Sequence, residues 1–236
     1  MCFLNVNTLC HRPGSTRSKH MIVRSIAFGL LIIAAVPAQA VVAIPGLFNS
    51  GRLANNSAVT TGTVQEQNWF LNGISRPWNS GSINGAWLAN NSVSRWMTPT
   101  SNGNQSLDPI SNGFYTYSIA FDLGKFVPGT ASFNGRFASD NTVTSILLNG
   151  TQITQAGLGT FNQWTSFSAG TGFIGGLNTL SFRLLNLAQA NGNPSGLRVE
   201  ILGSAYEPVP EPASWMMMIA GFGMVGTILR RRTAMA

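Results

Sequence analysis

Residues 143–153, VTSILLNGTQI, contain two short apolar segments on either side of an Asn149-Gly150 dipeptide. Both residues of a two-residue type I′ turn need positive φ angles, which Asn and Gly adopt at little cost. The stretch therefore predicts a β-hairpin with one strand over 143–148 and a second that starts at residue 151.

Segments on both sides of this hairpin continue the strand pattern. Short runs of apolar and aromatic residues are separated by Gly, Asn and Pro at intervals of about 8–12 residues, which is typical of all-β domains. The clearest runs are 114–123, 131–137, 161–167, 178–187 and 197–202. No amphipathic helix is evident between residues 41 and 209. We predict an all-β fold, an antiparallel two-sheet β-sandwich. The side chains expected in its core are Phe121, Phe133, Phe137, Ile146, Leu148, Leu180, Phe182, Leu184, Val199 and Ile201.

The order of these segments resembles that of a known family. FYTYSIAFDL, GRFASDN, LLNGTQI, GGLNTLSFRLLN and PSGLRVEI follow one another between residues 110 and 205. This order resembles the galactose-binding-like jelly rolls found in many carbohydrate-binding modules and glycosidase accessory domains. The resemblance implies a jelly-roll topology and a domain that binds polysaccharide without acting on it.

Charge is sparse and is concentrated at the two ends of the sequence. Charged residues make up 9% of the chain, and the formal net charge is +7. Residues 1–40 carry four basic side chains and no acidic one, and residues 210–236 carry three arginines and one glutamate. The segment between them is nearly neutral and lacks the clustered cations of a phosphate-binding surface. This distribution argues against nucleic-acid binding.

All cysteines and histidines precede Met21, namely Cys2, Cys10, His11 and His20. The segment 41–209 therefore cannot form disulfides, Cys/His zinc sites, a thiol nucleophile or a histidine-based triad. We predict that the protein is not an enzyme and that it needs no cofactor.

Residues 21–40 have the three parts of a secretory signal peptide. Arg24 supplies the basic region, residues 26–36 form a short apolar helix, and Ala38-Gln-Ala40 is a small-residue cleavage site. We expect signal peptidase to cut after Ala40 and the protein to be exported.

The last part of the sequence combines an extended proline element, an apolar helix and a basic stop. Prolines disfavour helix in the residues before them, and residues 216–229 are almost wholly apolar. This pattern resembles the PEP-CTERM sorting signal, closest to its Pro-Glu-Pro-x-x-Trp-Ala variety, with Met216 in place of the final Ala. The matching residues are Pro210, Glu211, Pro212, Trp215, Arg230, Arg231 and Arg232. The resemblance implies transient anchoring in the inner membrane, processing by an exosortase, and delivery to the cell surface or the extracellular space.

These observations give the expected organisation of the chain. Residues 1–20 are interpreted as an upstream extension from a misassigned start codon, 21–40 as the signal peptide, 41–206 as the sandwich, and 207–236 as the sorting tail. A single membrane helix is predicted over 213–229 within that tail.

Tryptophans are the candidate ligand contacts of the sandwich. Exposed indole rings stack on the C–H faces of sugars, and Trp78, Trp87, Trp96 and Trp164 are the candidate sugar-binding residues. The alternative is that these side chains belong to the core of the sandwich. Trp78 lies in a turn-like Arg-Pro-Trp-Asn-Ser segment, and so it is the one for which exposure is most expected.

Asp140 is a candidate ligand for a structural calcium ion. Ca²⁺ takes six to eight oxygen ligands, usually from several carboxylates, and Asp140 is the one carboxylate in Ala-Ser-Asp-Asn-Thr. The other interpretation is an Asx-turn in which this side chain caps a loop.

Three classes of function remain after these exclusions. The first is a non-catalytic surface or matrix protein that binds extracellular polysaccharide, and the second is a structural matrix component without a ligand site. The third is a glycoside hydrolase, which would need two positioned carboxylates. Because the few acidic residues are expected to pair with basic ones, this third class is the least favoured.

Overall fold

A computed structural model describes residues 39–108, 110–154, 157–189, 193–208 and 213–233. Over these residues the chain forms twelve strands and one helix. The strands are β1 (Gln39–Ala43), β2 (Val64–Gln65), β3 (Trp69–Leu71), β4 (Trp78–Asn79), β5 (Met97–Thr98), β6 (Gly113–Asp122), β7 (Val127–Asp140), β8 (Thr142–Leu148), β9 (Thr151–Thr154), β10 (Thr165–Ala169), β11 (Leu177–Asn186) and β12 (Gly196–Pro208), and the helix is α1 (Ala213–Thr233). Residues 1–20 and most of the predicted signal peptide lie outside the described residues.

The strands form two antiparallel sheets, as the sequence predicted. The larger sheet has the order β10-β7-β12-β5-β4-β2, and β1 pairs with the far end of β12. The smaller sheet has the order β3-β6-β11-β8-β9. The long strands β7 and β12 run side by side through the larger sheet, and β6 and β11 do the same in the smaller one. The two layers form a β-sandwich.

The core lies between the two sheets. Every side chain predicted for it, from Phe121 to Ile201, is buried. These residues alternate along their strands, so the inward positions meet across the sandwich. Phe167 joins them, with its ring centroid 5.1 Å from that of Phe182 and the two rings nearly perpendicular. Burial of each such large side chain contributes about 1.5–3 kcal/mol.

The hairpin predicted at Asn149-Gly150 is confirmed. The two residues have φ angles of 53° and 81°, and β8 and β9 pair antiparallel from Leu148 opposite Thr151. The side chain of Asn149 donates a 2.9 Å hydrogen bond to the carbonyl of Gly172. The turn is therefore tied to the loop that precedes β11.

Two strand boundaries differ from the prediction. β10 begins at Thr165 rather than at residue 161, because Thr160 and Gln163 pair with each other in a local bridge. β12 continues to Pro208, although Glu207 was predicted to begin the linker. The extension exists because β1 supplies a pairing partner for the last residues of β12.

Helix α1 confirms the helix predicted over 213–229, with an end four residues later. Ile219, Phe222, Met224 and Val225 are each more than half exposed on it. The prediction that it spans a membrane is not supported, since no helix in the described ranges is long and apolar enough to do so. The apolar run ends before Arg230, short of the roughly 20 residues that a span needs.

Candidate ligand-binding cavity

Trp87 and Trp96 are buried, with relative exposures of 5% and 0%. Their ring centroids lie 4.2 Å apart, and both pack on Ala138. Ala138 belongs to β7 but points away from the main core. The segment that carries the two tryptophans therefore folds over the outer face of the larger sheet. These residues form a second small core, so they do not offer the exposed faces that a sugar platform requires.

Trp78 and Trp164 are only partly buried. Trp164 packs at the edge of the second core, and Arg136 and Arg198 place their guanidinium carbons 4.5 and 4.9 Å from its ring centroid. Trp78 lies on β4, where it is paired with Thr98 of β5. The structure thus brings three of the four candidate tryptophans together and leaves Trp78 apart from them.

A cavity of about 220 Å³ opens at the end of the sandwich where β7 turns into β8. Segments from four parts of the sequence meet there. The lining residues are Asn84, Ala86, Trp87, Asp140, Asn141, Phe161, Gln189, Asn193 and Pro194. Most of these side chains are amides or aromatic rings. The volume lies below the roughly 300–1,000 Å³ of pockets for drug-sized ligands, so the cavity suits one small polar ring or a short part of a chain.

Asp140 is the acidic group of this cavity and is 6% exposed. Its Oδ2 accepts a 2.8 Å hydrogen bond from the indole Nε1 of Trp87, and its Oδ1 accepts a 2.7 Å bond from Nδ2 of Asn141. Burial raises the pKa of Asp140 to about 6, although the hydrogen bond from Trp87 lowers it in part. The carboxyl group therefore changes charge close to neutral pH.

Asn193 supplies a buried amide to the same cavity. Its Nδ2 donates a 2.8 Å hydrogen bond to Oδ1 of Asn186 and a second one to the carbonyl of Leu187. Within the described part of the chain, Oδ1 of Asn193 and Nδ2 of Asn186 have no hydrogen-bond partner. Since unpaired buried polar groups cost free energy, Oδ1 of Asn193 is an acceptor in the cavity wall that a polar ligand could satisfy.

The calcium interpretation of Asp140 gains little support from its surroundings. Both carboxylate oxygens already accept hydrogen bonds. Over the described ranges, no three Cys, His, Asp or Glu side chains lie close enough together to hold a metal ion. Calcium takes six to eight oxygen ligands. The hydrogen bonds to the Asp140 carboxylate come from the side chains of Trp87 and Asn141 rather than from the backbone N–H that defines an Asx-turn.

Glu200 is held in a network on the outer face of the larger sheet. Arg136 donates to its Oε2 from Nε at 2.8 Å and forms an ion pair at 2.6 Å, and Ser94 donates to its Oε1 at 2.8 Å. The buried guanidinium of Arg198 lies 3.7 Å from Oε1 and donates from Nε to Ser94. Burial lowers the pKa of Arg198, and Glu200 opposes this effect.

Glu66 is a third buried carboxylate, beside Asp140 and Glu200, in the described part of the sandwich. It accepts backbone hydrogen bonds from Gly51 at 2.9 Å and from Gln67 and Asn68 at 3.1 Å each. Burial raises the pKa of Glu66. Like Glu200, the carboxylate of Glu66 holds loops in place through its hydrogen bonds. Neither of them lines the cavity, where Asp140 is the one acidic side chain among the described residues.

The cavity and the tail lie at opposite ends of β12. Gly196, at the start of the strand, is paired with Asp140, and Pro208, at its end, is paired with Gln39. At about 3.3 Å per residue, the strand separates these ends by about 40 Å.

Several predicted sorting and cleavage residues cannot be placed. Ala38 and residues 210–212 lie outside the described part of the chain, and the side chains of Trp215, Arg231 and Arg232 are not described although their backbone is helical. Arg230 is exposed on α1, and Ala40 is exposed on β1.

Sequence reasoning identified Trp87 and Asp140 but not the rest of the cavity. Asn84 and Phe161 lie in two different loops, and Gln189 and Asn193 lie in the connection between β11 and β12, with no shared motif. The Asn193-Pro194 dipeptide is a turn signal, but it carries no information about which loops meet it.

Comparisons with known proteins identify the tail. Residues 208–232 match the PEP-CTERM protein-sorting motif family. No curated protein matches the chain.

Several solved structures resemble the sandwich at low identity. A family 35 carbohydrate binding module from Clostridium thermocellum is 11% identical, with a TM-score of 0.30 over 70% of this chain and 97% of that one. A family 35 module from an environmental isolate is 12% identical, with a TM-score of 0.32 over 66% and 97% of the two chains. The CBM36-1 domain of a multidomain xylanase from the hindgut metagenome of Trinervitermes trinervoides is 12% identical, with a TM-score of 0.24 over 73% and 100%. Similarity at this level does not transfer a ligand.

Proposed function

We propose that this chain, which carries a PEP-CTERM protein-sorting motif at residues 208–232, is an exported protein that an exosortase processes on its way to the cell surface or the extracellular space. The motif is the observation that carries the proposal. The signal-peptide pattern over 21–40 supports it, because export is what brings the chain to an exosortase at the inner membrane.

The sandwich in this proposal is a non-catalytic module that binds polysaccharide at the cavity beside Asp140. The cavity has a size that suits a single sugar ring, neutral amides that match sugar hydroxyls, and the partly exposed ring of Phe161 at its rim. The buried amide of Asn193 provides an unsatisfied acceptor. Polar groups of this kind fix the orientation of a ligand in a largely preformed site.

The position of the cavity supports this proposal. It lies about 40 Å from the tail along β12, so the tail can be held by its processing enzyme without covering the ligand site. A ligand can therefore bind both before and after sorting.

The second candidate is a structural matrix component without a ligand site. It is favoured by the burial of Trp87 and Trp96, because aromatic side chains that look like sugar platforms instead stabilise a loop. A hydrolase has less support, since Asp140 is the one carboxylate among the described residues of the cavity and a glycosidase needs two.

Processing of the tail tests the sorting proposal. The full chain is expressed in a host with an exosortase and in the same host without it, and the mass of the exported protein is measured. We expect loss of the tail in the first host only. Replacement of Pro210, Glu211 and Pro212 by Ala should abolish this loss. Retention of the wild-type tail in both hosts would contradict sorting.

Binding is tested with the secreted protein on an array of bacterial polysaccharides and oligosaccharides. We expect Phe161→Ala and Gln189→Ala to weaken binding without changing the melting temperature, because both side chains are exposed at the cavity rim. Ser181→Ala, on the smaller sheet, is the matched control. A wild-type protein that binds no glycan would favour the structural component, and variants that bind like wild type would place the ligand elsewhere.

A further inference from the structure

A second cavity, of about 340 Å³, lies between the connection that joins β1 to β2 and the connection that joins β4 to β5. It shares no lining residue with the cavity beside Asp140. The first connection contributes Thr60, Thr61 and Gly62 to its lining, and the second contributes Gly81, Arg95 and two asparagines. Among these lining residues Arg95 is the one charged side chain, and we call the space the Arg95 cavity.

The guanidinium group of Arg95 lies at the wall of this cavity. Its Nη2 donates hydrogen bonds to the carbonyls of Gly62 at 2.7 Å and of Ser80 at 3.3 Å, and its Nη1 donates to the carbonyl of Val59 at 3.3 Å. The start of the side chain packs on Gly51, where an added Cβ would lie 2.7 Å from Cβ of Arg95. The charged end is therefore held against the loop residues that form the cavity.

The positive charge of Arg95 is buried without a counter-charge. Arg95 is 4% exposed, and in the part of the sandwich that the structure describes no carboxylate lies within ion-pair distance of it. Its Nε has no hydrogen-bond partner there either. Burial lowers the pKa of Arg95, but a guanidinium stays protonated at neutral pH. Because an uncompensated buried charge is costly, a negative group in the cavity would stabilise it.

Arg198 shows the arrangement that Arg95 lacks. It is equally buried, but its Nη2 lies 3.7 Å from Oε1 of Glu200, and this carboxylate opposes the effect of burial on its pKa. The fold thus places a carboxylate beside one buried guanidinium and a cavity beside the other.

The rest of the cavity offers further hydrogen-bond donors. Thr60 and Thr61 are exposed, and neither hydroxyl makes a hydrogen bond within the described ranges. Gly62 follows them with a φ angle of 73°. An added Cβ on Gly81 would lie 2.6 Å from the carbonyl oxygen of Gly62, so the two loops approach closely and fix the cavity between them. Each hydroxyl can donate one hydrogen bond to a bound oxygen.

We propose that the Arg95 cavity binds a carboxylate group, carried by a free small acid or by an acidic sugar. One guanidinium balances the single negative charge of a carboxylate, and hydrogen bonds between the two are among the stronger ones in proteins. The hydroxyls of Thr60 and Thr61 complete the donor set. This site is additional to the cavity beside Asp140, and it does not depend on whether that cavity binds a glycan.

The test is a titration of the ¹⁵N-labelled secreted protein at pH 7, followed by the backbone amide signals in NMR spectra. Sodium acetate is the probe, and sodium chloride at the same ionic strength controls for screening of charge. We expect acetate to shift the amide signals of Thr61, Gly62 and Gly81 in a saturable way. Sodium glucuronate and glucose form a second pair, in which the charged sugar should shift these signals and the neutral one should not.

Variants assign the binding to the cavity. The double variant Thr60→Ala/Thr61→Ala should weaken acetate binding about tenfold, the factor that one hydrogen bond to a charged group provides. Its melting temperature should not change, because both side chains are exposed. Thr171→Ala, at an exposed position between β10 and β11, is the matched control and should bind like wild type. Arg95→Gln should abolish saturation. Since this variant also loses loop hydrogen bonds, the threonine variant decides if Arg95→Gln does not fold.

The outcomes separate the proposal from its alternatives. Equal shifts with acetate and chloride would overturn it, as would a Thr60→Ala/Thr61→Ala variant that binds acetate like wild type. Equal shifts with glucuronate and glucose would also overturn it, because the charge would then not be recognised. Tighter binding of glucuronate than of acetate would support the proposal with an acidic sugar as the ligand, and equal binding would support it with a free small acid.

Discussion

The indole N–H of Trp87 donates a 2.8 Å hydrogen bond to Oδ2 of Asp140, a residue 53 positions later in the sequence. This bond joins the loop that covers the outer face of the larger sheet to the end of β7. It also forms one wall of the candidate cavity. A single contact therefore couples the stability of the loop to the shape of the site.

Replacement of Trp87 by Phe tests that coupling. The ring stays in the second core, but the buried carboxyl group of Asp140 loses its donor. We expect the free energy of unfolding to fall by about 1–3 kcal/mol, the cost of leaving a buried polar group unsatisfied, as measured by urea denaturation. Trp78→Phe, at a half-buried position on β4, is the control and should change stability by less than about 1 kcal/mol.

The pH dependence of stability should report on Asp140. Its pKa in the folded protein is raised to about 6 from an ordinary value of 3.8, mainly by burial. The folded state therefore binds this proton more tightly than the unfolded state, and the free energy of unfolding decreases as the pH rises from about 4 to about 6. Because one pKa unit corresponds to about 1.4 kcal/mol, the decrease is about 1–3 kcal/mol.

Asp140→Asn removes this titration. Thermal melts of wild type and variant between pH 4 and pH 7.5 should show a difference in stability that shifts in favour of the variant as the pH rises. Glu66, whose pKa is also raised by burial, contributes equally to both proteins and cancels. If the difference in stability between wild type and Asp140→Asn stayed constant with pH, the raised pKa of Asp140 would be contradicted.

Glu200→Gln should destabilise the sandwich because it leaves the buried Arg198 without its counter-charge. Arg198 is 1% exposed, and removal of one partner from a buried ion pair costs several kcal/mol. We expect a loss of about 2–4 kcal/mol, since the amide keeps part of the hydrogen bonding. Arg136→Gln is the control: its side chain is 50% exposed, so its loss should cost less than about 1 kcal/mol. If Glu200→Gln and Arg136→Gln lowered the free energy of unfolding equally, the carboxylate of Glu200 would not be stabilising the buried charge of Arg198.

Gly135 on β7 provides the space for Phe167. A Cβ at this position would lie 2.5 Å from Cζ of Phe167 and 2.7 Å from the carbonyl oxygen of Glu200. Gly135→Ala should therefore cost about 1–3 kcal/mol through overpacking. Gly129→Ala in the same strand meets no atom within 4 Å and should be nearly neutral in the same denaturation experiment.

Most of the fold could be predicted from local sequence patterns. The Asn149-Gly150 turn and the alternation of Phe182 and Leu184 along β11 depend on residues close to one another in the chain. The sorting motif is also local, and its match over 208–232 confirms that part of the prediction. The helix itself could also be predicted locally, whereas its spanning of a membrane is not supported, since no helix in the described ranges is long and apolar enough.

The candidate site could be predicted only in part. Asp140 was recognised from its loop, but its environment was not, since Trp87 and Asn193 reach it from distant segments. For the tryptophans the sequence left two interpretations open, an exposed sugar platform and a place in the core, because composition does not distinguish them. The structure shows that Trp87 and Trp96 are buried, where they pack with Ala138 on the outer face of the larger sheet.

The sequence by itself determined the all-β class, the inward positions of the long strands and the identity of the tail, because period, turn chemistry and a contiguous motif are properties of neighbouring residues. Only the tertiary structure decided which tryptophans are buried, that the cavity forms beside Asp140, and that β1 pairs with the end of β12. Each of these depends on which segments, remote in sequence, meet in space. Local sequence patterns do not predict which remote segments come together, because packing and strand pairing across the whole sandwich determine these contacts.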